Sequence, residues 1–474
     1  MSSQRVILPC ALPSSPWRKL LRTANSCAMP GAFFAAFVCS SIALPARADG
    51  AKEKQSAQTN HSAPRLTSDS TGVIATREGD HLRFVTDLGN VIVHTQNTDK
   101  IDYHVHLETD STQKDARELL KSYHGGAVAV PDGIFWRGHS FGRHSSGRLW
   151  VTIYVNVPKN YNVDVSTGGG NIESDDLNGH ANFSTAGGNI VAGNVGGPAH
   201  LETGGGHISV KNVSGPLIAN TGGGHITTGS IAGNAELHTS GGHIRAGSVQ
   251  GVARLDTGGG NITLEHSGTE LVAETAGGQI KVGEASGLVH AKTGGGGIRV
   301  VRLSGPTKLE SVGGSIYLTQ VDSAVKASSS TGGITAWFVT PAKQHEACEL
   351  QSNDGDIVVY IPRELPVTID AQIQMGDDHR VSFDPAFPLK VSYDNSAKGA
   401  RTVHAEGALN GGGEVLRLRT VAGNIRVALS DSGKQIQLYK QQMEQLQQQM
   451  QEQMQSQLRA LEQSQESSEA QPKP

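Results

Sequence analysis

The chain has 474 residues and a small net charge, with 40 basic side chains against 44 acidic ones. Only 36% of its residues are hydrophobic and 5% are aromatic, while 59 are glycine. This length exceeds one compact core, so several modules are expected. The low apolar content disfavours a large globular enzyme and suits a narrow, stacked core of small aliphatic side chains. Because the glycines do not follow a Gly-X-Y period, collagen is excluded.

Residues 1–48 are predicted to be a signal peptide. Arg18, Lys19 and Arg22 form a basic region, residues 31–44 are apolar, and residues 46–48 fit an A-x-A cleavage site. The apolar run is shorter than the about 20 residues that a membrane-spanning helix needs. The sequence therefore predicts export, either to the periplasm or to the cell surface.

Cleavage would leave a more acidic mature chain. Residues 1–48 hold five basic residues and no acidic ones, so 35 basic residues remain against 44 acidic ones, a net charge of −9. This balance argues against nucleic acid as a partner. Three of the four cysteines also lie in this segment, so Cys348 has no partner for an intramolecular disulfide and is expected to be a small buried side chain.

The segment that follows is polar and then β-rich. Residues 49–72 are predicted to be a disordered leader, and residues 73–162 an N-terminal β-rich module. Gly89-Asn90 separates two short strand patterns and is interpreted as a hairpin turn. Alternating patterns predict further strands at 101–107 and 149–157, and apolar residues at helical spacing predict a short helix over 115–123.

His104 and His106 lie on one face of the strand predicted at 101–107. This spacing can ligate a metal ion. The favoured interpretation is a polar outer face, because Tyr103, Val105 and Leu107 alternate with the histidines and would face the core.

Residues 163–340 are predicted to form a parallel β-solenoid of ten 18-residue coils. The phrase Thr-Gly-Gly-Gly-His-Ile occurs at Thr203–Ile208 and again at Thr221–Ile226. Its isoleucine recurs every 18 residues, at Ile172, Ile190, Ile208, Ile226, Ile244, Ile262, Ile280, Ile298, Ile316 and Ile334. Like residues should therefore stack on like at about 4.8 Å per coil, with an inward threonine column that can hydrogen-bond.

Two other 18-residue architectures do not fit this repeat. A left-handed hexapeptide helix needs an apolar residue at every sixth position, where this chain has polar or charged side chains. A calcium-binding β-roll needs aspartates that the repeat lacks. The pattern leaves open whether each coil has two faces or three.

The C-terminal part departs from the period. Residues 341–430 are predicted to be a β cap, because 350–362 and 414–429 each resemble one more coil of the repeat but do not follow its 18-residue spacing. Residues 434–465 are predicted to be a coiled-coil helix and 466–474 a disordered tail. The apolar seam of Ile436, Tyr439, Met443, Leu446 and Met450 favours a homo-oligomer through 434–465, and a lone helix or a disordered glutamine tract is the alternative.

The column that precedes each isoleucine is the candidate site. It contains Asn171, Asn189, His207, His225, His243, Asn261 and Gln279. His207, His225 and His243 would stand about 4.8 Å apart, so that two of them could share a zinc or copper ion. We favour a solvated polar ladder, because the column continues with residues that are poor metal ligands.

No catalytic motif accompanies the repeat. The sequence contains no G-x-S-x-G, no H-E-x-x-H and no P-loop, and its glycine strings are not followed by helices. Glu202, Asp256 and Glu274 share one outward column, but adjacent acids without insertion loops do not make a hydrolase cleft. The sequence therefore predicts no enzyme and no cofactor.

Several segments resemble the bacterial putative-adhesin family of β-strand-repeat proteins, a domain of unknown function. The resemblance lies in the helix at 115–123 before the strand 151–158, the Asn162–Gly168 segment, the T-G-G-x-I coils and the 409–425 exit. It implies an extracytoplasmic β-solenoid with an adhesive or scaffolding role and carries over no catalytic residues. The glutamine-rich tail departs from the family.

These patterns together predict an exported structural or interaction protein. Its rigid β-solenoid surface would act as an adhesin or envelope scaffold, with a polysaccharide or an envelope protein as partner. The alternative is a β-helix protein that binds or cleaves polysaccharide.

Overall fold

The computed structural model describes residues 65–111, 113–141, 147–339, 347–374, 381–383, 389–395 and 401–430, and single helical residues between 437 and 456. Strands dominate these residues and form two large sheets that enclose one hydrophobic core. The predicted all-β class with parallel, stacked strands is confirmed. The predicted signal peptide at 1–48 and the tail at 466–474 lie outside the described residues.

The N-terminal elements precede the regular repeat. They are β1 (Leu66–Ala75), β2 (His81–Thr86), β3 (Asn90–Gln96), β4 (Lys100–Thr109), α1 (Gln113–Ser122), β5 (Tyr123–Val130), β6 (Gly133–Ser140), β7 (Leu149–Pro158) and β8 (Asn162–Thr167). The helix predicted over 115–123 is confirmed as α1.

Strand β1 corrects the end of the predicted disordered leader, residues 66–72, whereas residues 49–64 lie outside the described residues. It begins at Leu66 and pairs antiparallel with β4, Asp69 opposite His106. Most of its side chains are exposed. The strand is held by backbone hydrogen bonds to the edge of β4 rather than by apolar burial, so hydropathy does not reveal it.

The predicted hairpin at Gly89-Asn90 is also wrong. Strand β2 pairs in parallel with β6 and β8, whereas β3 pairs in parallel with β7 and β9 (Ile172–Ser174) in the other sheet. The turn is therefore a corner of the coil, and Gly89 adopts a φ of 110° there. Neither sheet is interrupted at the predicted boundary between residues 162 and 163.

The repeat continues with short strands that alternate between the two sheets. After β9 these are β10 (Ala181–Thr185), β11 (Ile190–Ala192), β12 (Ala199–Thr203), β13 (Ile208–Val210), β14 (Leu217–Thr221), β15 (Ile226–Thr228), β16 (Ala235–Thr239), β17 (Ile244–Val249), β18 (Val252–Thr257), β19 (Ile262–Ser267), β20 (Glu270–Thr275), β21 (Ile280–Ala285), β22 (Leu288–Thr293), β23 (Ile298–Leu303), β24 (Thr307–Ser311), β25 (Ile316–Val321), β26 (Val325–Ser329) and β27 (Ile334–Phe338).

We call the sheet that contains the odd-numbered repeat strands the isoleucine sheet and the one that contains the even-numbered strands the threonine sheet. Every step of the repeat is parallel, and the steps are in register, with Ile208 opposite Ile226 and Thr203 opposite Thr221, until the pairing of β25 with β27, where the register shifts between Leu318 and Val321. The open question of two or three faces is answered by two sheets. A short ladder of isolated bridges, such as Val195 to Val213, lies beside the early coils and merges into the isoleucine sheet from β17 onward.

The core consists of columns of identical or similar residues. Ile226, Ile244 and Ile262 are fully buried, and Leu237 and Leu255 face them from the threonine sheet. Each such side chain contributes about 1.5–3 kcal/mol by leaving water. Because alternate residues of a strand point to opposite faces, the intervening side chains form outward columns.

The C-terminal elements close the stack. They are β28 (Cys348–Asp354), β29 (Ile357–Pro362), β30 (Val367–Ile373), β31 (Val381–Phe383), β32 (Lys390–Asn395), β33 (Arg401–Leu409), β34 (Val415–Ala422) and β35 (Ile425–Ser430). Strands β28 and β34 pair in parallel, as do β29 and β35, so the two segments that resemble a coil are successive coils around an insertion. Cys348 is buried, as expected.

The described residues of the predicted coiled-coil segment, from Gln437 to Ser456, are helical, and those whose exposure is described are exposed. The apolar seam itself lies outside the described residues, so the coiled coil stays a prediction. The Lys281 Nζ of β21 donates to the Gln449 Oε1 at 3.5 Å, which places one tail residue beside the isoleucine sheet.

Candidate functional site

The phrase Thr-Gly-Gly-Gly-His-Ile forms the corner between the two sheets. The Thr239 hydroxyl donates to the Gly224 carbonyl of the preceding coil at 2.8 Å, and accepts from the Gly242 N–H of its own turn at 3.1 Å. Ser311 and Ser329 make the same two bonds in later coils. The inward hydroxyl thus satisfies two turn groups that the ladders leave unpaired.

The third glycine of the phrase is required by close approach between coils. A Cβ at Gly224 would overlap the Gly206 carbonyl of the coil below. A Cβ at the neighbouring Gly223 would meet only the Gly205 oxygen, at 4.0 Å. Gly224 therefore excludes a side chain, whereas Gly223 does not.

The predicted histidine column is assembled as the sequence indicated. The His207 and His225 rings stack at 4.9 Å between centroids, and the His225 and His243 rings at 4.8 Å with an angle of 4°. The backbone N–H of His225 donates to the His207 Nδ1 at 2.9 Å, and the backbone N–H of His243 donates to the His225 Nδ1 at 2.8 Å. The column is therefore a hydrogen-bonded ladder.

The asparagines of this column act in the same way. The His207 N–H donates to the Asn189 Oδ1, and the Gln279 N–H donates to the Asn261 Oδ1, both at 2.8 Å. Asparagine and histidine share an acceptor at the δ1 position, which explains why either residue can occupy this column. The histidine Nδ1 atoms are engaged, and the parallel rings direct their Nε2 atoms side by side rather than toward one point.

The stack also changes the acidity of two of these histidines. Burial lowers the pKa of His225, and the positive charges of His207, His243 and Arg245 lower it further. Burial and then Arg245 lower the pKa of His243. The column favours neutral imidazoles.

The outward acids of the threonine sheet lie apart from any described cleft. Glu202, Asp256 and Glu274 are exposed, and Asp256 lies directly opposite Glu274 on the next strand. Asp256 also pairs with the His238 Nδ1 at 2.9 Å. The column therefore presents charged side chains to solvent.

Two aromatic side chains form a second outward feature near the C-terminal coils. Trp337 of β27 and Tyr360 of β29 are half-buried and stack with their centroids 4.8 Å apart and an angle of 4°. They lie opposite each other in the isoleucine sheet. Because the rings stack face to face, each covers one face of the other, and the remaining exposed parts of the rings offer an apolar contact surface.

The structure also brings together two groups of potential metal ligands that sequence reasoning did not assemble. One consists of Asp69, His104 and His106, and the other of His81, Asp164 and His180. The spacing of His104 and His106 can ligate a metal, although the sequence favours a polar outer face for them, and Asp69 lies in the segment predicted as a leader. The second group joins three neighbouring strands, whose register only the fold establishes.

In the first group, the pKa values of Asp69 and His106 depend on the contact between the two side chains. Burial would lower the pKa of His106, but hydrogen bonds to Asp69 and Glu108 outweigh it and raise the pKa. The hydrogen bond from His106 is the largest of the effects that lower the pKa of Asp69.

The family comparison matches residues 81–302 to the model of Toastrack DUF4097. This region contains β2 through most of β23 and thus the corner column. Residues 81–302 thus match the Toastrack family over slightly less than half of the chain. The resemblance to a putative-adhesin family of unknown function is thereby confirmed. The Toastrack region includes the His81 group, whereas Asp69 and the C-terminal coils lie outside it.

Three solved structures show distant likeness to the chain that carries this Toastrack region. A putative cell adhesion protein from Clostridium sporogenes is 7% identical, with 77% of this chain and 100% of that chain covered and a TM-score of 0.15. A putative adhesin from Parabacteroides distasonis is 12% identical, with 62% and 97% covered and a TM-score of 0.22. One from Bacteroides fragilis is 13% identical, with 63% and 98% covered and a TM-score of 0.19.

These TM-scores are too low to transfer any property to the Toastrack chain. No curated protein sequence matches it. Within the described residues, no helix combines the length and the apolar character needed to cross a membrane.

Proposed function

We propose that the protein is an exported interaction protein, an adhesin or envelope scaffold, whose solenoid presents outward columns to an extended partner. The observation that carries this proposal is the in-register stacking of the coils, from β9 to β25 in the isoleucine sheet and from β8 to β26 in the threonine sheet, since an outward position repeats at every one of these coils. A partner with a regular repeat, such as a polysaccharide or an extended segment of an envelope protein, can contact many equivalent positions at once.

The chemistry of the outward columns supports binding rather than turnover. The acids of the threonine sheet are exposed, and Asp256 and Glu274 are neighbours on one face, whereas glycosidases hold two carboxylates on opposite sides of a bound sugar. A rigid surface also loses little conformational entropy on binding.

The test is binding of the labelled mature chain to isolated envelope fractions, with assays for released product. Saturable retention on one fraction, competed by unlabelled protein and without product release, is expected. Absence of retention on every fraction would overturn the proposal, and release of sugar fragments would replace it with an enzyme. Fractionation of cells that express the full chain tests export, because cytoplasmic retention of the protein would contradict it.

The second candidate function is polysaccharide binding through Trp337 and Tyr360. Aromatic rings contact the apolar side of sugar rings, and these two half-buried rings form one face-to-face stack across two coils. The double substitution Trp337→Ala and Tyr360→Ala should abolish retention on a glycan. The matched control is Tyr317→Ala, which removes an exposed aromatic ring from the same sheet.

A further inference from the structure

We infer that Asp69, His104 and His106 bind a divalent transition-metal ion of the zinc class. The three side chains meet on the outer face of the isoleucine sheet, where β1 pairs antiparallel with β4. Asp69 lies directly opposite His106, and Thr71 lies opposite His104. His104 and His106 are two residues apart on one strand, so both side chains project from the same face.

The donor atoms converge on one point. The His104 Nε2 and the His106 Nδ1 both lie 2.7 Å from the same oxygen, Asp69 Oδ1. All the potential ligand atoms lie within 4.8 Å of one another. A tetrahedral zinc ion with bonds of about 2.0–2.2 Å needs ligand atoms about 3.4 Å apart, so a small outward rotation of the side chains admits the ion.

A second layer of contacts orients the ligands. The second ring nitrogen of His106, Nε2, contacts the Glu108 Oε1 at 3.1 Å. The Arg65 Nη1 donates to the other carboxylate oxygen of Glu108, also at 3.1 Å. A carboxylate on the distal nitrogen fixes the tautomer and raises the basicity of a metal-bound histidine. The His104 ring stacks on Tyr154 at 5.9 Å, which restrains its orientation.

The ligand types define the class of ion. Two imidazoles and one carboxylate suit zinc and its neighbours in the transition series, whereas calcium and magnesium require oxygen ligands. Three protein ligands leave one position for water or an external group. His104 and Asp69 are about half exposed, so an ion can reach the site from solvent.

The group of His81, Asp164 and His180 provides the internal comparison. His180 pairs with Asp164 at 3.0 Å, but the His81 Nε2 lies 3.4 Å from the amide nitrogen of Asn162 rather than from a carboxylate. This second group therefore lacks the convergence on a single oxygen that distinguishes the first.

The experiment is calorimetric titration of zinc chloride into the chelator-treated full chain at neutral pH. One site of micromolar affinity or better is expected, and the double variant His104→Ala and His106→Ala should abolish it. Glu108→Gln should weaken it by about 10- to 100-fold while keeping all three ligands. The control variant His81→Ala and His180→Ala should bind as the wild type does.

Cobalt(II) gives an independent readout, because its visible spectrum depends on the type of the ligands, here nitrogen, and on a low coordination number. The spectrum should appear in the wild type and vanish in the His104 and His106 variant. Circular dichroism in chelator verifies that each variant is folded. Absence of zinc binding to the wild type, or loss of binding only in the His81 and His180 variant, would overturn the inference. The inference is independent of the proposed adhesive function.

Discussion

At the scale of single residues, each corner threonine joins two coils through one hydroxyl. Thr239 is fully buried and bonds Gly224 and Gly242 at the same time. Replacing it removes one hydroxyl but leaves two backbone groups without a partner, and the cost of those unmade bonds outweighs the loss of the side chain itself.

We therefore expect Thr239→Val to lower the free energy of unfolding by about 1–3 kcal/mol, although valine has nearly the same shape. Urea denaturation monitored by circular dichroism measures this change. The control is Thr239→Ser, since Ser311 and Ser329 make both bonds naturally. Equal stability of the valine and serine variants would contradict the assigned role of the hydroxyl.

Neighbouring glycines of one turn should respond differently to the same substitution. Gly224→Ala forces a methyl group into the Gly206 carbonyl and should destabilise the protein by about 1–3 kcal/mol. Gly223→Ala has open space and should change stability by less than about 0.5 kcal/mol. Thermal unfolding of the two variants tests this contrast, which fails if both lose stability equally.

At the scale of elements, the histidine column makes stability depend on pH. The pKa values of His225 and His243 are lowered in the folded protein, first by burial and then by neighbouring positive charge. Protonation also removes the Nδ1 acceptor that the next coil uses. The unfolded chain binds these protons more readily, so this contribution to stability is complete above about pH 6.5 and is lost as the pH falls below it.

The double variant His225→Asn and His243→Asn should show a weaker loss of stability between neutral and mildly acidic pH than the wild type. Asparagine keeps the acceptor, as Asn189 and Asn261 do, but does not titrate. Melting temperatures over this range provide the measurement. An unchanged slope in the variant would show that other groups control the acid sensitivity.

The elements also show what the sequence could predict. The same residue types recur at the same position of each 18-residue coil. The inward isoleucines and threonines and the corner column were therefore all predictable. Strand β1 was not, because its backbone pairing leaves little apolar signal. Gly89-Asn90 suits a hairpin and a coil corner equally, and only the pairing partners distinguish them. The Asp69 contact depends on the register of β1 with β4, which no local pattern encodes.

At the scale of the whole molecule, the tail decides whether the solenoid acts alone or in a group. The predicted seam favours association of several chains through 434–465, whereas the Gln449 contact with Lys281 places one tail residue on the chain's own solenoid. Gln449 is not one of the predicted seam residues, so this polar contact leaves association through the seam open to test.

Deletion of residues 434–474 separates these arrangements. We expect the mature chain to sediment as an oligomer and the truncated chain as a monomer, because the seam is the predicted source of association. Sedimentation equilibrium at several concentrations gives both masses. If both chains are monomeric, the coiled-coil prediction is wrong and the helix belongs to the solenoid surface.

The exact register of the central coils constrains the length of the solenoid. Excision of residues 208–225 would join His207 to Ile226 and recreate the corner phrase at the junction. Like residues would still stack on like residues in every column, whereas removal of a single residue would turn inward side chains outward. The molecule can therefore be shortened or extended only in whole steps of about 4.8 Å. The length of the solenoid therefore changes by whole coils, through duplication or loss of an 18-residue repeat.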